Sequence, residues 1–505
     1  MPFPVTLSPS PVSEVFLGIQ ENPLEKLALS DPDKSLLRAA EENPLEYTLN
    51  DHKDAESYVL LLLKLIDLTC TSSEHNKNSR VSKLSLDQSL SDDEAHQLYL
   101  VDFQGVWLHY AISKLSEVII ALRATRNTKS TIANTFFPSG FLLEDWRILH
   151  RVLSATKSDL FAQRGAAFCL ACILYEGCLQ EEIGQLFSSL SSVLRSFVTW
   201  ITSRLQSATS PSALAAVTPS MTIILEIKEA RLCFVYNGGL GFLSRHLLTS
   251  DKDPNNLPRK AGASVQQLYE LTYCLWLLSF DCCDHHSLRK HFHRDGAVPA
   301  LVDLVAAATR EKITRLALST LRNLATFHTS PAEVGFDALA FRTEMIGCGL
   351  LTRLERLKEG AKWNDQDMID DIDILEGHLQ ETFRHMTRWD LYQAEVESSH
   401  LQWGVLHTEE FLRENVKYFE GNDGQFRTIH DLVRLTVNAD EEVASIACYD
   451  LGEFVRHYPN GRLLASRLGA RDAVMALIDH SHVELQKEAL LAVSKMLIQH
   501  WQAVG

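Results

Sequence analysis

Apolar positions near the C-terminus recur with a long period. Val443, Ala447, Leu451, Phe454 and Val455 align with Leu485, Ala489, Val493, Met496 and Leu497, each pair 42 residues apart. The steps of 4, 8 and 11 within each set keep the apolar residues on one face of an α-helix. A small residue at the second position lets a neighbouring helix approach closely. Ile313, Ala317, Leu321 and Leu324 repeat the spacing, as do Leu268, Thr272, Trp276 and Ser279 one unit earlier. A fixed pattern at about 40 residues predicts stacked helical repeats, each burying its apolar face against the next.

A second element follows these helices. It reads Gly239-Leu240-Gly241-Phe242-Leu243, then Gly296-Ala297-Val298-Pro299-Ala300-Leu301, with later forms opening at Gly349 and Gly469. Glycine here punctuates the chain ahead of an apolar-striped helix. Long helix, short connection and glycine-led helix together predict an all-α, armadillo/HEAT-like α-solenoid. Polar stretches fall between units: Thr69 to Asp93 reads as a loop, and Ser207 to Ser220 and Thr249 to Ser264 as surface insertions. Lys358 to Asp373 interrupts the repeat with glycine and acidic residues. The expected organisation is a large N-terminal repeat domain, 1–357, an acidic linker or hinge, 358–373, and a smaller C-terminal repeat domain, 374–505.

Charge narrows the partners. The chain of 505 residues carries a net charge of −17, and residues 361–505 hold 13 Lys and Arg against 25 Asp and Glu. That balance argues against nucleic acid and anionic lipid, both of which need clustered basic side chains. It leaves open an acidic face for a basic partner. The first twenty residues do not read as a secretory signal, and the apolar run Tyr58 to Leu68 is broken by Lys64 and too short for a span. The ten cysteines show no framework spacing, as expected of reduced thiols. A soluble cytosolic protein without membrane insertion is expected.

Catalytic motifs are scarce. There is no phosphate-cradling Gly-x-x-x-x-Gly-Lys-[Ser/Thr] and no His-Glu-x-x-His. Cys282-Cys283-Asp284-His285-His286, with His291 and His293, is the best metal candidate, but adjacent ligands converge poorly and a polar connection is the expected reading. No catalytic residue, cofactor or metal is assigned. The most particular segment lies between the two C-terminal copies: Asp450, Gly452, Glu453, Arg456, His457, Tyr458, Pro459 and Gly461. Asp450 and Glu453 fall one or two turns before His457, which suggests a polar network holding two repeats in register. Pro459 and Gly461 are suited to stopping the helix.

This segment, Asp450-Leu-Gly-Glu-Phe-Val-Arg-His-Tyr-Pro-Asn-Gly461, resembles the signature of the H subunits of vacuolar-type proton-pumping ATPases (V-ATPases). Leu490 to Lys495 with Trp501, Lys362 to Asp367, Trp403 with Arg413-Glu414-Asn415, Tyr273 to Phe280 and Glu311 to Arg315 resemble further blocks, so the likeness covers roughly residues 225–505. The resemblance implies a non-catalytic component of the peripheral V1 sector. It also implies binding to the E and G subunits of the peripheral stalk, and to the cytosolic N-terminal domain of the membrane stator, the pump's a subunit. Such a component couples ATP hydrolysis to proton transport, and in detached V1 it helps silence hydrolysis against the catalytic hexamer or central rotor. Its place is the cytosolic face of an endomembrane. The alternative is an armadillo-repeat scaffold or cargo adaptor, but none of the eight Trp is followed by Asn four positions on, as peptide-import grooves require.

Overall fold

The computed structural model describes residues 29–42, 57–70, 103–124, 147–155, 159–178, 184–247, 263–282, 285–307, 310–327, 338–360, 365–421, 423–438 and 440–497. Every regular element among them is helical. Most of the Thr69–Asp93 and Thr249–Ser264 stretches, residues 361–364 and Trp501 lie outside the described residues. The chain divides into two compact units. One runs to Gly239 and takes in Ala261–Glu270, and the other comprises Leu240–Lys260 and the residues from Leu271 onward.

In the first unit, α1 (Phe103–Ala124), α2 (Arg147–Ala155), α3 (Leu160–Cys178) and α4 (Gly184–Ser207) surround a core centred on α3. That helix is buried on nearly every side from Ala162 to Leu174, which explains its run of small residues. At Gly165 a Cβ would lie 2.2 Å from Ile112 Cγ2 of α1, so only glycine permits this approach. Asp159 opens α3. Its Oδ1 accepts from the Ala162 amide at 3.0 Å, capping the helix, and its Oδ2 lies 2.7 Å from His109 Nε2 of α1.

Ser207 to Ser220 departs from expectation. It folds into two short helices, Pro211–Ala215 and Thr218–Ile224, with Leu214, Val217, Thr218 and Ser220 buried. Polar residues that suggested a surface insertion bond within these helices instead, Ser210 as the cap of the first. Ser210 Oγ accepts from the Ala213 amide at 3.2 Å, Ser220 Oγ donates to the Val217 carbonyl at 2.8 Å, and a proline sits in each first turn.

α5 (Val265–Ser279) is the next long helix, followed in the second unit by α6 (His286–Arg294), α7 (Ala297–Ala307), α8 (Glu311–Thr326), α9 (Ala338–Gly347), α10 (Leu350–Gly360) and α11 (Gln366–His385). The glycine-led helices behave as the pattern predicts, with one shift of register. Gly238, Gly296, Gly349 and Gly469 each have φ between 73° and 78° immediately before a helix start, so the first turn glycine is Gly238 rather than Gly239. Ile313, Ala317, Leu321 and Leu324 of α8 are all buried. On α5 Thr272 and Ser279 of the expected stripe are buried, but the core face is wider than that set. Leu271, Cys274, Leu275 and Leu278 fill the core, and Leu268 and Trp276 are half-buried. Trp276 and Ser279 also meet the next long helix, Trp276 Nε1 donating to Ser319 Oγ at 3.2 Å and Asn323 Nδ2 to Ser279 Oγ at 2.9 Å.

The acidic stretch 358–373 is helical at both ends. Residues 366–373 form the first two turns of α11, capped by Asp365, whose side chain accepts from the Asp367 amide. Its carboxylates grip α8: Arg315 pairs with Asp365 at 2.8 Å and with Asp367, and Arg322 pairs with Asp371.

The C-terminal helices are α12 (Arg388–Ser398), α13 (Glu409–Asn415), α14 (Arg427–Leu435), α15 (Glu441–His457), α16 (Gly461–Arg467), α17 (Ala470–Met475) and α18 (Val483–Leu497). Thr387 and Asp390 form a reciprocal capping box that starts α12. Trp389, Tyr392, Phe411, Phe419 and Phe454 supply the bulk of one apolar core. The 42-residue pattern appears here as packing of α15 against α18. Val443, Ala447, Leu451, Phe454 and Val455 are buried, as are Leu485, Ala489 and Met496, whereas Val493 is half-buried and Leu497 is 54% exposed.

Candidate functional site

The signature segment begins inside α15 and ends at the start of α16. Its side chains separate into two polar networks on different faces of α15.

Asp450, with no exposed surface, faces α12 and the segment leading into α13. Its Oδ2 accepts from Tyr392 Oη at 2.9 Å and lies 2.8 Å from His407 Nδ1. The other ring nitrogen of His407, Nε2, lies 3.1 Å from Glu395 Oε2. Charged imidazole donates through both nitrogens, so it can serve both carboxylates at once. Burial alone lowers the His407 pKa, but Asp450 and then Glu395 outweigh it and push it up to about 10. Burial and then Asp450 hold the Tyr392 phenol well above its ordinary range. At neutral pH the cluster is therefore an imidazolium clamped between two acids, with Tyr392 as a neutral donor.

The sign of the resulting pH dependence is fixed. A histidine raised from 6.5 to about 10 stabilises the fold in full below pH 6.5 and loses that contribution progressively as pH rises toward 10. Thermal melts across this window should fall more steeply for the natural chain than for His407→Gln. Equal slopes would contradict the charged assignment.

Glu453 is 2% exposed and faces α18. Its Oε1 accepts from Lys495 Nζ, and its Oε2 lies 3.0 Å from His457 Nε2 and 3.8 Å from Arg456. Arg456 also pairs with Glu409 of α13 at 3.0 Å. Lys495 Nζ sits 5.0 Å over the Tyr449 ring, whose hydroxyl is pushed up to about 12 by burial and then by Glu453 and Asp450. Tyr458 Oη donates to Glu420 at 3.3 Å. This network ties α13, α15 and α18 together. Lys495→Met should cost about 1–3 kcal/mol in urea unfolding, because Glu453 stays buried but keeps His457 and Arg456. A change below about 0.5 kcal/mol would show that Lys495 contributes nothing.

The glycines of the segment allow close approach. At Gly452 a Cβ would lie 3.1 Å from Ala492 Cα and 3.2 Å from Lys495 Cδ, where α15 touches α18. At Gly461 it would meet Val455 Cα and O at 2.9 Å. Pro459 is exposed, and Asn460 takes the left-handed conformation at φ 58°, so the chain reverses between α15 and α16.

Glu409, Glu453 and His457 place ligand atoms within 4.8 Å of one another, the grouping among the described residues that could hold a metal ion. Both carboxylates already have cationic partners in Arg456 and Lys495, so an added cation meets a charge-balanced cluster. The Cys-His stretch forms no such group among the described residues. His291 lies 3.0 Å from Asp295, His293 lies 2.7 Å from Glu344, and Cys283 and Asp284 are outside those residues.

Sequence reasoning did not single out Tyr392, Glu395, His407 or Glu409. Lys495 had a signal, since it occupies the position of Glu453 one repeat later and packed repeats bring like positions together.

A family model for the V-ATPase H subunit, describing its N-terminal part, matches residues 109–379, and a second for the C-terminal part matches residues 385–501. A probable H subunit of the V-type proton ATPase from Oryza sativa subsp. japonica is 30% identical over 313 residues, covering 62% of this chain and 64% of that protein. The corresponding H subunit of Drosophila melanogaster is 29% identical over 294 residues, covering 58% of each chain. The matches thus span less than two thirds of either relative's length. Among solved structures, a designed armadillo repeat protein in complex with peptide (KR)4 aligns with 59% of this chain and 99% of its own at 16% identity and a TM-score of 0.28. A structure from work on cadherin and β-catenin aligns with 79% of this chain and 67% of its own at 15% identity and a TM-score of 0.37. The two family matches, in order and together covering most of the chain from residue 109, show that it belongs to the family of V-ATPase H subunits.

Proposed function

We propose that this chain is a non-catalytic brace of the V1 sector of a V-ATPase. It links the E and G subunits of the peripheral stalk to the cytosolic N-terminal domain of the membrane stator, the pump's a subunit, and couples ATP hydrolysis to proton transport. When V1 detaches, its C-terminal repeats engage the catalytic hexamer or central rotor and help silence hydrolysis. Its place is the cytosolic face of an endomembrane. No described helix is long and apolar enough to cross a membrane.

The observation that carries this reading is the pair of family matches on a body made of stacked helices. The polar clusters support it. Asp450, Glu453, His407 and Lys495 spend their hydrogen bonds on one another, an arrangement suited to rigidity. The proposal keeps 1–357, 358–373 and 374–505 as the working division, with 358–373 as the hinge. Bending there acts against the Arg315 and Arg322 ion pairs. Affinity purification of the tagged chain tests the assignment. Recovery of the pump's hexamer and stalk components is expected, and their absence from a purification that retains other partners contradicts it.

A further inference from the structure

The first unit contains a cavity of about 470 Å³ between α2 and α4, lined by Arg147, His150, Arg151, Ser192, Val193 and Ser196. Its construction follows from two amphipathic helices. In α2, Ile148, Leu149, Val152 and Leu153 are buried, which turns Arg147, His150 and Arg151 to the opposite face. In α4, Val193 is buried while Ser192 and Ser196, four residues apart, stand at the rim. The walls are tied by Ser196 Oγ to His150 Nε2 at 2.8 Å and by Trp200 Nε1 donating to the Leu153 carbonyl at 3.3 Å.

The charge of this cavity is opposite to that of the chain. The protein carries −17, yet the described lining holds two guanidinium groups and no carboxylate. Burial lowers the His150 pKa, so at neutral pH the fixed charge comes from the arginines. Arg151 shares its charge with Asp67 at 3.0 Å, both partly exposed, and Arg147 has no ion pair among the described residues. Like charges four residues apart on a helix repel, a cost that an anion between them removes.

We propose that this cavity binds a phosphate monoester. Two guanidinium forks with two hydroxyls form a donor-rich set. A phosphate carrying about −1.5 to −2 charge and three acceptor oxygens matches it more fully than a carboxylate does. The volume lies within the usual range of small-ligand sites. The ester belongs either to a soluble metabolite or to a lipid headgroup, and the surrounding acidity makes binding depend on this cavity rather than on the overall field.

Calorimetric titration of the purified full chain with glycerol phosphate at low ionic strength tests the proposal, with sodium sulfate as the competing ion. Saturable one-site binding is expected, weakened about tenfold by Arg147→Gln, which is about 1.4 kcal/mol. Arg147 is exposed, so this variant should fold, and Ser196→Ala should weaken binding to a lesser degree. Sedimentation with phosphatidylcholine vesicles, with and without a phosphatidylinositol monophosphate, separates the two sources. Recruitment that glycerol phosphate competes away assigns a lipid headgroup, and soluble binding without recruitment assigns a free metabolite. No saturable binding to either probe, or binding indifferent to both substitutions, overturns the proposal.

Discussion

His407→Leu is expected to destabilise the C-terminal repeats by about 3–5 kcal/mol, the usual cost of stripping one partner from a buried ion pair. Asp450 has no exposed surface, and after the substitution it keeps only the Tyr392 hydroxyl; its Oδ1 has no hydrogen-bond partner even in the natural chain. The alternative to a buried naked carboxylate is protonation, and the free energy of that protonation at neutral pH is itself the loss. A second substitution tells charge from packing. Asp450→Asn should restore part of the stability of His407→Leu, because two neutral groups then replace an orphaned charge. Urea unfolding of the single and double variants measures the difference. If the double variant falls below the natural chain by the sum of the two single losses, the two residues act independently and the ion pair is not what holds this region.

Gly347→Val should be comparably severe. A Cβ at this position would lie 2.5 Å from the Ala394 carbonyl oxygen and 2.7 Å from its carbon, where α9 meets α12. The obstacle is backbone, so a rotamer change cannot relieve it and the two helices must move apart. Overpacking of this kind costs typically 1–3 kcal/mol and occasionally more, and the rigid neighbour places this case at about 3 kcal/mol. The contact also joins the two family matches, since Gly347 lies in the first and Ala394 in the second. Limited proteolysis of Gly347→Val should open new cleavage between α9 and α12. A variant as stable and as protease-resistant as the natural chain would contradict the close packing described here.

Much of the C-terminal fold was legible because period and burial coincide. The 42-residue offset gave the partners of α15 and α18, and at Glu453 and Lys495 it extended to an ion pair. Where the same periodic set served two surfaces, the reading slipped. Trp276 and Ser279 fit the apolar spacing, but they form the hydrogen-bonded ladder to α8, and the core stripe runs through Leu271, Leu275 and Leu278. The His407 cluster escaped for a different reason. Tyr392 and His407 lie 58 and 43 residues before Asp450, and His407 sits in an irregular segment that no periodicity describes. Ser207 to Ser220 misled through composition, because serine and proline mark helix starts as readily as loops.

On the proposed function, this chain couples a proton pump and leaves the hydrolysis to its neighbours. Vesicles from cells lacking it can be assayed together for ATP hydrolysis and ATP-driven acidification, with and without the purified chain added back. The expected result is an assembled pump that acidifies poorly until the chain is returned, with no ATP hydrolysis by the chain alone. Normal acidification in its absence would overturn the coupling role.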